Sequence, residues 1–265
     1  MKTVMVLIHN DAGQGARLQC ALDVVRAVEG HLVCLDVVQL PVVADGFGVG
    51  TASAMLIVDE REREDQNVEA LQPRLAGEGV SYEWSRIHTN SDVAITDAAR
   101  LVDLLVVGRR GIGDFAESGE MAARLAELSS APILLVPTEQ TSLDLSGKAL
   151  VTWDGSRAND AAIRTAAPLL KLAREVEVLT IGDTGNDADP AEVAAYLARH
   201  GCRATARREP KSGDVPTQLI DAMVGSGATW CVMGSYGHSR LREFLFGGAT
   251  RTLFAKAPIP LFVSH

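Results

Sequence analysis

Three glycines at the end of an apolar run carry the strongest chemical signal in the sequence. Gly234, Gly237 and Gly247 are spaced G-x2-G-x9-G and begin where the run Trp230 to Met233 stops. A run of that kind reads as a buried strand, so the glycines lie where a parallel strand hands over to a helix. Backbone N–H groups at such a strand end can cradle phosphate, and glycine leaves them unhindered or free to take positive φ. Gly247 and Gly248 would bring a second set of open amides to the same place if the intervening loop folds back. Ala249 follows, Thr250 adds a hydroxyl, and Arg240, Arg242 and Arg251 supply cations able to pair with phosphate. His238 stands alone in the loop, the pattern of a solvent-exposed ring. The set suits a nucleotide triphosphate.

The elements that must position this loop recur. Val106-Val-Gly108-Arg-Arg-Gly111 matches Val232-Met-Gly234-Ser-Tyr-Gly237, and Ala131-Pro132 matches Ala257-Pro258. Gly108 to Pro132 and Gly234 to Pro258 are each 24 residues, a spacing without gaps that argues for duplication. The predicted order is strand 3–8, helix 14–28, strand 32–38, helix 52–76, strand 80–87, helix 92–100, strand 103–107, helix 117–129 and strand 133–136. It repeats as strand 148–153, helix 157–173, strand 175–181, helix 189–200, strand 202–208, helix 214–226, strand 230–233, helix 240–254 and strand 260–264. Strands alternating with helices imply doubly wound parallel sheets covered on both faces. The polar segment between the halves reads as a linker, giving domains 1–138 and 148–265 joined by 139–147.

The halves differ in length and charge. From Asn10 to Gly108 is 98 positions and from Asp154 to Gly234 is 80, the excess falling in Leu40 to Gln66. Its charged run Asp59-Glu-Arg-Glu-Arg-Glu-Asp65 reads as a solvated helix face, with a partner-binding surface as the alternative. Residues 1–140 carry 21 acidic and 11 basic groups, whereas residues 141–265 carry 13 and 14. An anion should therefore prefer the second half, and nucleic acid is disfavoured as a partner. The run Met1 to Ile8 leads straight into Asn10 and Asp11 and reads as a first strand, not a signal peptide. No window of about 18 uninterrupted apolar residues predicts a membrane span. Cys20, Cys34, Cys202 and Cys231 are isolated and sit in apolar contexts, which points to buried thiols in a reducing cytoplasm.

The second half also resembles a family. Gly234-Ser-Tyr-Gly237-His-Ser-Arg-Leu-Arg-Glu-Phe-Leu-Phe-Gly247-Gly-Ala-Thr250, followed by Lys256-Ala-Pro258-Ile-Pro260-Leu-Phe-Val, looks like the C-terminal signature of a universal stress protein domain. Nucleotide-binding members carry Ser or Thr after the third glycine; here that position is Gly248, with Thr250 two further on. The resemblance implies two five-stranded sheets of order 3-2-1-4-5. It also implies that the last strand of each half pairs across a two-fold, so one tandem chain forms an internal pseudo-dimer with Leu134 and Leu261 near the seam. A further homodimer and a protein partner are left open.

The site that the resemblance implies comprises Asp154, Ile181, Met233, Gly234, Gly237, Gly247, Gly248, Ala249 and Thr250. Asp154, before Gly155-Ser156, resembles the family's Asp-Gly-Ser turn at the end of the first strand, within reach of an adenine or ribose donor; N-cap of the following helix is its structural reading. Ile181 matches the position whose backbone faces adenine. ATP is the implied ligand, with Mg²⁺ accompanying its phosphates. In the first half Gly247 becomes Met121, Gly248 becomes Ala122 and Thr250 becomes Arg124, while Asp114, Glu117 and Glu120 bring negative charge. Asn10 stands where Asp154 does, or Asp11 if the alignment slips by one. The first half therefore reads as a degenerate partner domain.

No catalytic set assembles. There is no G-x-S-x-G, H-E-x-x-H or Walker motif and no paired Cys/His spacing, so neither catalytic residues nor a metal centre are expected. Asp154-Gly-Ser-Arg-Ala-Asn lacks the Ser-Gly-Gly-x-Asp-Ser loop of adenylating enzymes. The leading expectation is a stress-response protein that binds an adenine nucleotide as a regulatory or assembly signal. The alternatives are a nucleotide-free interaction module of the same fold and a slow ATPase.

Overall fold

A computed structural model describes residues 1–39, 49–89, 91–109, 120–182, 189–235 and 248–265, excluding the side chains of residues 49–57, 248 and 249. The first half runs β1 (Thr3–Ile8), α1 (Gln14–Val28), β2 (His31–Val38), α2 (Val49–Gly77), β3 (Ser81–His88), α3 (Asp92–Ala98), β4 (Leu104–Gly108), α4 (Glu120–Leu128) and β5 (Ile133–Val136). The second runs β6 (Lys148–Thr152), α5 (Arg157–Leu170), β7 (Glu175–Ile181), α6 (Pro190–Arg199), β8 (Ala204–Glu209), α7 (Val215–Gly225), β9 (Ala228–Gly234), α8 (Gly248–Lys256) and β10 (Leu261–Ser264).

All ten strands join one sheet in the order β3-β2-β1-β4-β5-β10-β9-β6-β7-β8. Each half thus has the 3-2-1-4-5 order, and every pairing within a half is parallel. The halves meet where β5 and β10 pair antiparallel, with Leu134 opposite Phe262 and Leu135 opposite Leu261, as the pseudo-dimer reading requires. All four side chains are buried, so the seam continues the core.

The core forms because alternate residues of each strand face opposite sides. One face buries Val4, Val6, Val151, Trp230 and Phe262 beneath α1, α2, α5 and α6. The other buries Met5, Leu7, Cys231, Met233 and Leu261 beneath α3, α4, α7 and α8. Central strands covered on both sides are largely apolar, as in β1, where Val4 to Ile8 are all buried. The outer strands β3 and β8 carry charged residues and are partly exposed, which discourages edge-to-edge pairing.

Local chemistry explains three helix starts, all in the second half, those of α5, α6 and α7. Asp189 and Asp214 accept hydrogen bonds from the first-turn N–H groups of Ala191 and Thr217, and each is followed by a proline in the first turn. Several boundaries differ from expectation. The helix expected over 157–173 ends at Leu170, where Leu172 and Ala173 turn back onto the carbonyls of Leu169 and Leu170. Residues 240–247 of the expected helix 240–254 lie outside the described residues, and α8 extends to Lys256. Within the polar connection, Leu143 and Leu145 are buried, and the Leu143 N–H donates to Asp23.

The charged run on α2 divides. Asp59, Arg61, Glu62, Arg63 and Asp65 are exposed, but Glu64 is only 1% exposed and faces the end of β1. A helix covering a sheet must turn one side inward, and Glu60 and Glu64 lie one turn apart on that side.

Candidate functional site

In each half the strand order reverses between the first and fourth strands, leaving a crevice at their carboxyl ends where ligands of such sheets bind. In the second half β6 hands over to α5 through Asp154, Gly155 and Ser156. Gly155 takes φ +78°, a left-handed turn that a side chain would strain. Ser156 is the N-cap of α5, its Oγ accepting from the Asn159 N–H at 3.2 Å. The N-cap reading of Asp154 is therefore corrected: the carboxylate lies two residues before the cap. Its Oδ1 accepts from the Ser156 N–H at 2.8 Å and from the Asn159 side-chain amide, and the residue is exposed.

Asn159 closes the geometry. Its Oδ1 accepts from the Gly234 N–H at 2.8 Å, and it is 5% exposed, so one buried amide links the ends of β6 and β9. A Cβ on Gly234 would stand 2.4 Å from the Asn159 backbone nitrogen and 2.6 Å from the Ala158 carbonyl carbon. Gly234 is thus glycine because α5 crosses directly above it, and its amide already has an acceptor. The glycine spacing signals the close approach, but Asn159 carries no sequence signal of its own; only its place three residues after a capping serine hints at it.

Met233 is buried and Ile181 half-buried, both on the sheet face opposite Asn159. Gly237 and Gly247 lie outside the described residues, as do Arg240, Arg242 and His238. Gly248, Ala249 and Thr250 form the first turn of α8, which contains no acidic residue. The open N–H groups of such a turn favour an anion. Arg251 instead pairs with Glu120 of α4, across the seam between the halves.

The first-half crevice is built differently. Val6 pairs with Val106 and Val151 with Val232; since Val106 and Val232 are repeat equivalents, His9 occupies the place of Asp154. This corrects the alignment of Asn10 or Asp11 to that position. Arg17, 2% exposed, enters from α1: its Nε donates to the Leu7 carbonyl at 3.1 Å, and its two terminal nitrogens grip Asp11 at 2.9 and 2.6 Å. Leu7, Arg17, Gly108, Met121, Ala122 and Leu125 enclose about 10 Å³, room for at most one water. Met121 and Ala122, standing where the second half has Gly247 and Gly248, help to fill this space.

The end of β1 instead carries a buried polar cluster. His9 Nδ1 lies 2.9 Å from Glu64 Oε1, Asn67 donates to Glu64 Oε2 at 3.2 Å, and Asn67 and Gln14 exchange hydrogen bonds of 2.7 and 2.9 Å. Burial opposes a charge on His9, but the carboxylates of Glu64, Asp11 and Glu60 outweigh it and hold the imidazole above its ordinary range. Burial likewise pushes Glu64 up, but His9, Asn67 and the Asn10 N–H together hold it below the usual carboxylate value. Elsewhere the four cysteines are free and buried, and burial pushes the Cys20 and Cys34 thiols up to about 12. No helix among the described residues is long and apolar enough to cross a membrane.

Residues 1–137 match the profile described as the Universal stress protein family. A universal stress protein from Synechocystis sp. is 23% identical over 167 residues, 60% of this chain and 56% of that protein. The match therefore spans little more than half the length of that relative. Among solved structures, a universal stress protein from Archaeoglobus fulgidus DSM 4304 aligns over 99% of this chain and 95% of its own, with a TM-score of 0.77 and 16% identity. A functionally unknown protein from Pseudomonas aeruginosa PAO1 aligns over 99% and 92%, with a TM-score of 0.62 and 16% identity. At such identities the structural likeness is one of fold, and the profile match covers more than half of the residues; from these together with the duplicated 3-2-1-4-5 sheet it follows that the chain belongs to the universal stress protein family.

Proposed function

We propose that the second half binds an adenine nucleotide, ATP, in the crevice between β6 and β9, and that occupancy serves as a regulatory or assembly signal. The observation that carries this reading is the Asp154–Asn159–Gly234 bridge. It holds an exposed carboxylate, suited to base or sugar donors, beside the start of the glycine loop. The turn that opens α8 after that loop contains no acidic residue of its own, and first-turn N–H groups suit phosphate. Asp154, Ile181, Met233, Gly234, Gly237, Gly247, Gly248, Ala249 and Thr250 are the proposed contacts, with Gly234 acting through shape because its amide is engaged. Mg²⁺ would accompany the phosphates through their own oxygens. The proposed setting is the cytoplasm, where the buried thiols stay reduced.

A second reading, a nucleotide-free interaction module, is favoured by Gly248 in place of a hydroxyl residue and by the engaged Gly234 amide. Calorimetric titration of ATP with Mg²⁺ into the wild type and a Gly247→Val variant separates the two. Saturable binding near one site per chain, lost in the variant, is the expected result. Absence of heat and of any thermal shift up to millimolar ATP would overturn the nucleotide reading. Hydrolysis enters only if phosphate is released by the wild type and not by an Asp154→Ala variant that still binds ATP.

A further inference from the structure

We propose that His9, Glu60 and Glu64 of the first half form a binding site for a divalent transition-metal cation. The Nδ1 atom of His9, one carboxylate oxygen of Glu60 and one of Glu64 all lie within 4.8 Å of one another. The two glutamates stand one turn apart on α2 and converge on the end of β1. The site involves none of the residues proposed for nucleotide binding.

An independent observation shows that the cluster is unfinished. His9 is 9% exposed, and its Nδ1 has no hydrogen-bond partner. Glu64 Oε1 is 2.9 Å away, near enough for charge attraction, but off the line along which a ring N–H donates. A buried imidazole nitrogen without a hydrogen bond thus stands beside two carboxylates, an arrangement that a bound cation would complete. With metal–ligand bonds of about 2.1 Å, a 2.9 Å separation between nitrogen and oxygen subtends roughly 90° at the metal, the angle between neighbouring ligands of an octahedral centre.

The surroundings hold the ligands in place. The side-chain amide of Asn67 donates to Glu64 Oε2, Gln14 locks Asn67 in turn, and the Asn10 N–H reaches Glu64 Oε1 at 3.4 Å. Such outer partners fix a carboxylate so that one oxygen remains directed at the metal. Glu60 has a single weak competitor among the described residues, Arg63 at 3.6 Å. Two carboxylates match a dication in charge, and the acidic surplus of the first half raises its local concentration. One imidazole with two carboxylates suits zinc, cobalt, nickel or manganese better than magnesium or calcium. Three protein ligands leave positions for water. Cys/His spacing could not reveal this centre, because His9 is 55 residues from Glu64.

The test is a titration of cobalt(II) chloride into the full-length, chelator-treated protein without nucleotide, read by visible absorption, with zinc(II) calorimetry alongside. The expected result is one saturable site per chain, with affinity lowered at least tenfold in Glu60→Gln and lost in His9→Asn. Glu60 lies at the rim of the cluster, so its variant should fold even if changes at His9 or Glu64 do not. His31→Asn, which alters a histidine at the opposite end of the strands, should bind like the wild type, as should Gly247→Val. Absence of saturable binding up to millimolar metal, or binding unchanged in Glu60→Gln, would overturn the proposal. Equal loss in His31→Asn would do the same, since it would assign the signal to surface histidines.

Discussion

At the crevice between β1 and β4, Arg17, Met121 and Ala122 help to line a cavity of about 10 Å³, whereas the crevice between β6 and β9 is bridged by one small amide, Asn159. The two lie in copies of one fold, joined through β5 and β10 in a single sheet. What differs is the residue that each first helix sends toward the strand ends. A long guanidinium satisfies the carbonyls of Leu7 and His9 and grips Asp11, filling the space; an asparagine ties Asp154 to Gly234 and leaves the carboxylate exposed. A duplicated fold can therefore keep its sheet while its two crevices diverge by a few side chains, because backbone packing, not the crevice contents, holds the halves together.

The largest expected effect tests the close approach in the second half. Gly234→Val should destabilise the protein by about 3 kcal/mol or more in urea unfolding, since its Cβ would meet backbone atoms of α5 at 2.4 and 2.6 Å. A loss under about 1 kcal/mol would mean that α5 yields easily, and the bridge would cease to distinguish the halves. Next comes the filler of the first half. Arg17→Met should cost about 2–3 kcal/mol, because it leaves Asp11 and two carbonyls without their partner in a buried place.

Asn159→Ala should cost about 1–2 kcal/mol through its lost hydrogen bonds and also weaken ATP binding, whereas Arg17→Met should leave ATP binding unchanged. Equal effects of the two variants on ATP would break the assignment of the nucleotide to one half. A smaller effect follows from His9. Its raised value means that the stabilisation from its charge is complete below pH 6.5, the ordinary histidine value, and disappears as pH rises through the higher value of the folded state. In metal-free protein, the stability gap between wild type and His9→Gln should therefore narrow as pH is raised above neutrality; a widening gap would contradict the sign. Smallest of all, Arg251→Gln should change stability by less than about 1 kcal/mol, because its pairing with Glu120 is largely exposed.

Much of the fold was legible because its signals are local. Apolar runs such as Val4 to Ile8 are bounded by turn residues, Ala-rich amphipathic stretches follow them, and the equal Gly-to-Pro spacing exposes the duplication. The sheet order and the seam at Leu134 and Leu261 came from family resemblance, since alternation alone does not fix which strand lies beside which. The candidate site was legible at Asp154 and Gly234 and not at Asn159. An asparagine in the first turn of a helix has many uses, and only the crossing of α5 over β9 selects one.

Sequence by itself determined that this chain is a duplicated α/β protein whose strands alternate with helices that cover both faces of the sheet. These follow from periodicity and steric rules that act within a few residues. Tertiary structure alone decided that Arg17 enters the crevice of the first half, that His9 and not Asn10 is the counterpart of Asp154, and that Glu64 turns inward from an apparently solvated run. Each depends on which side of a helix meets which strand end. That is settled by packing between residues far apart in the chain, where local pattern carries no information.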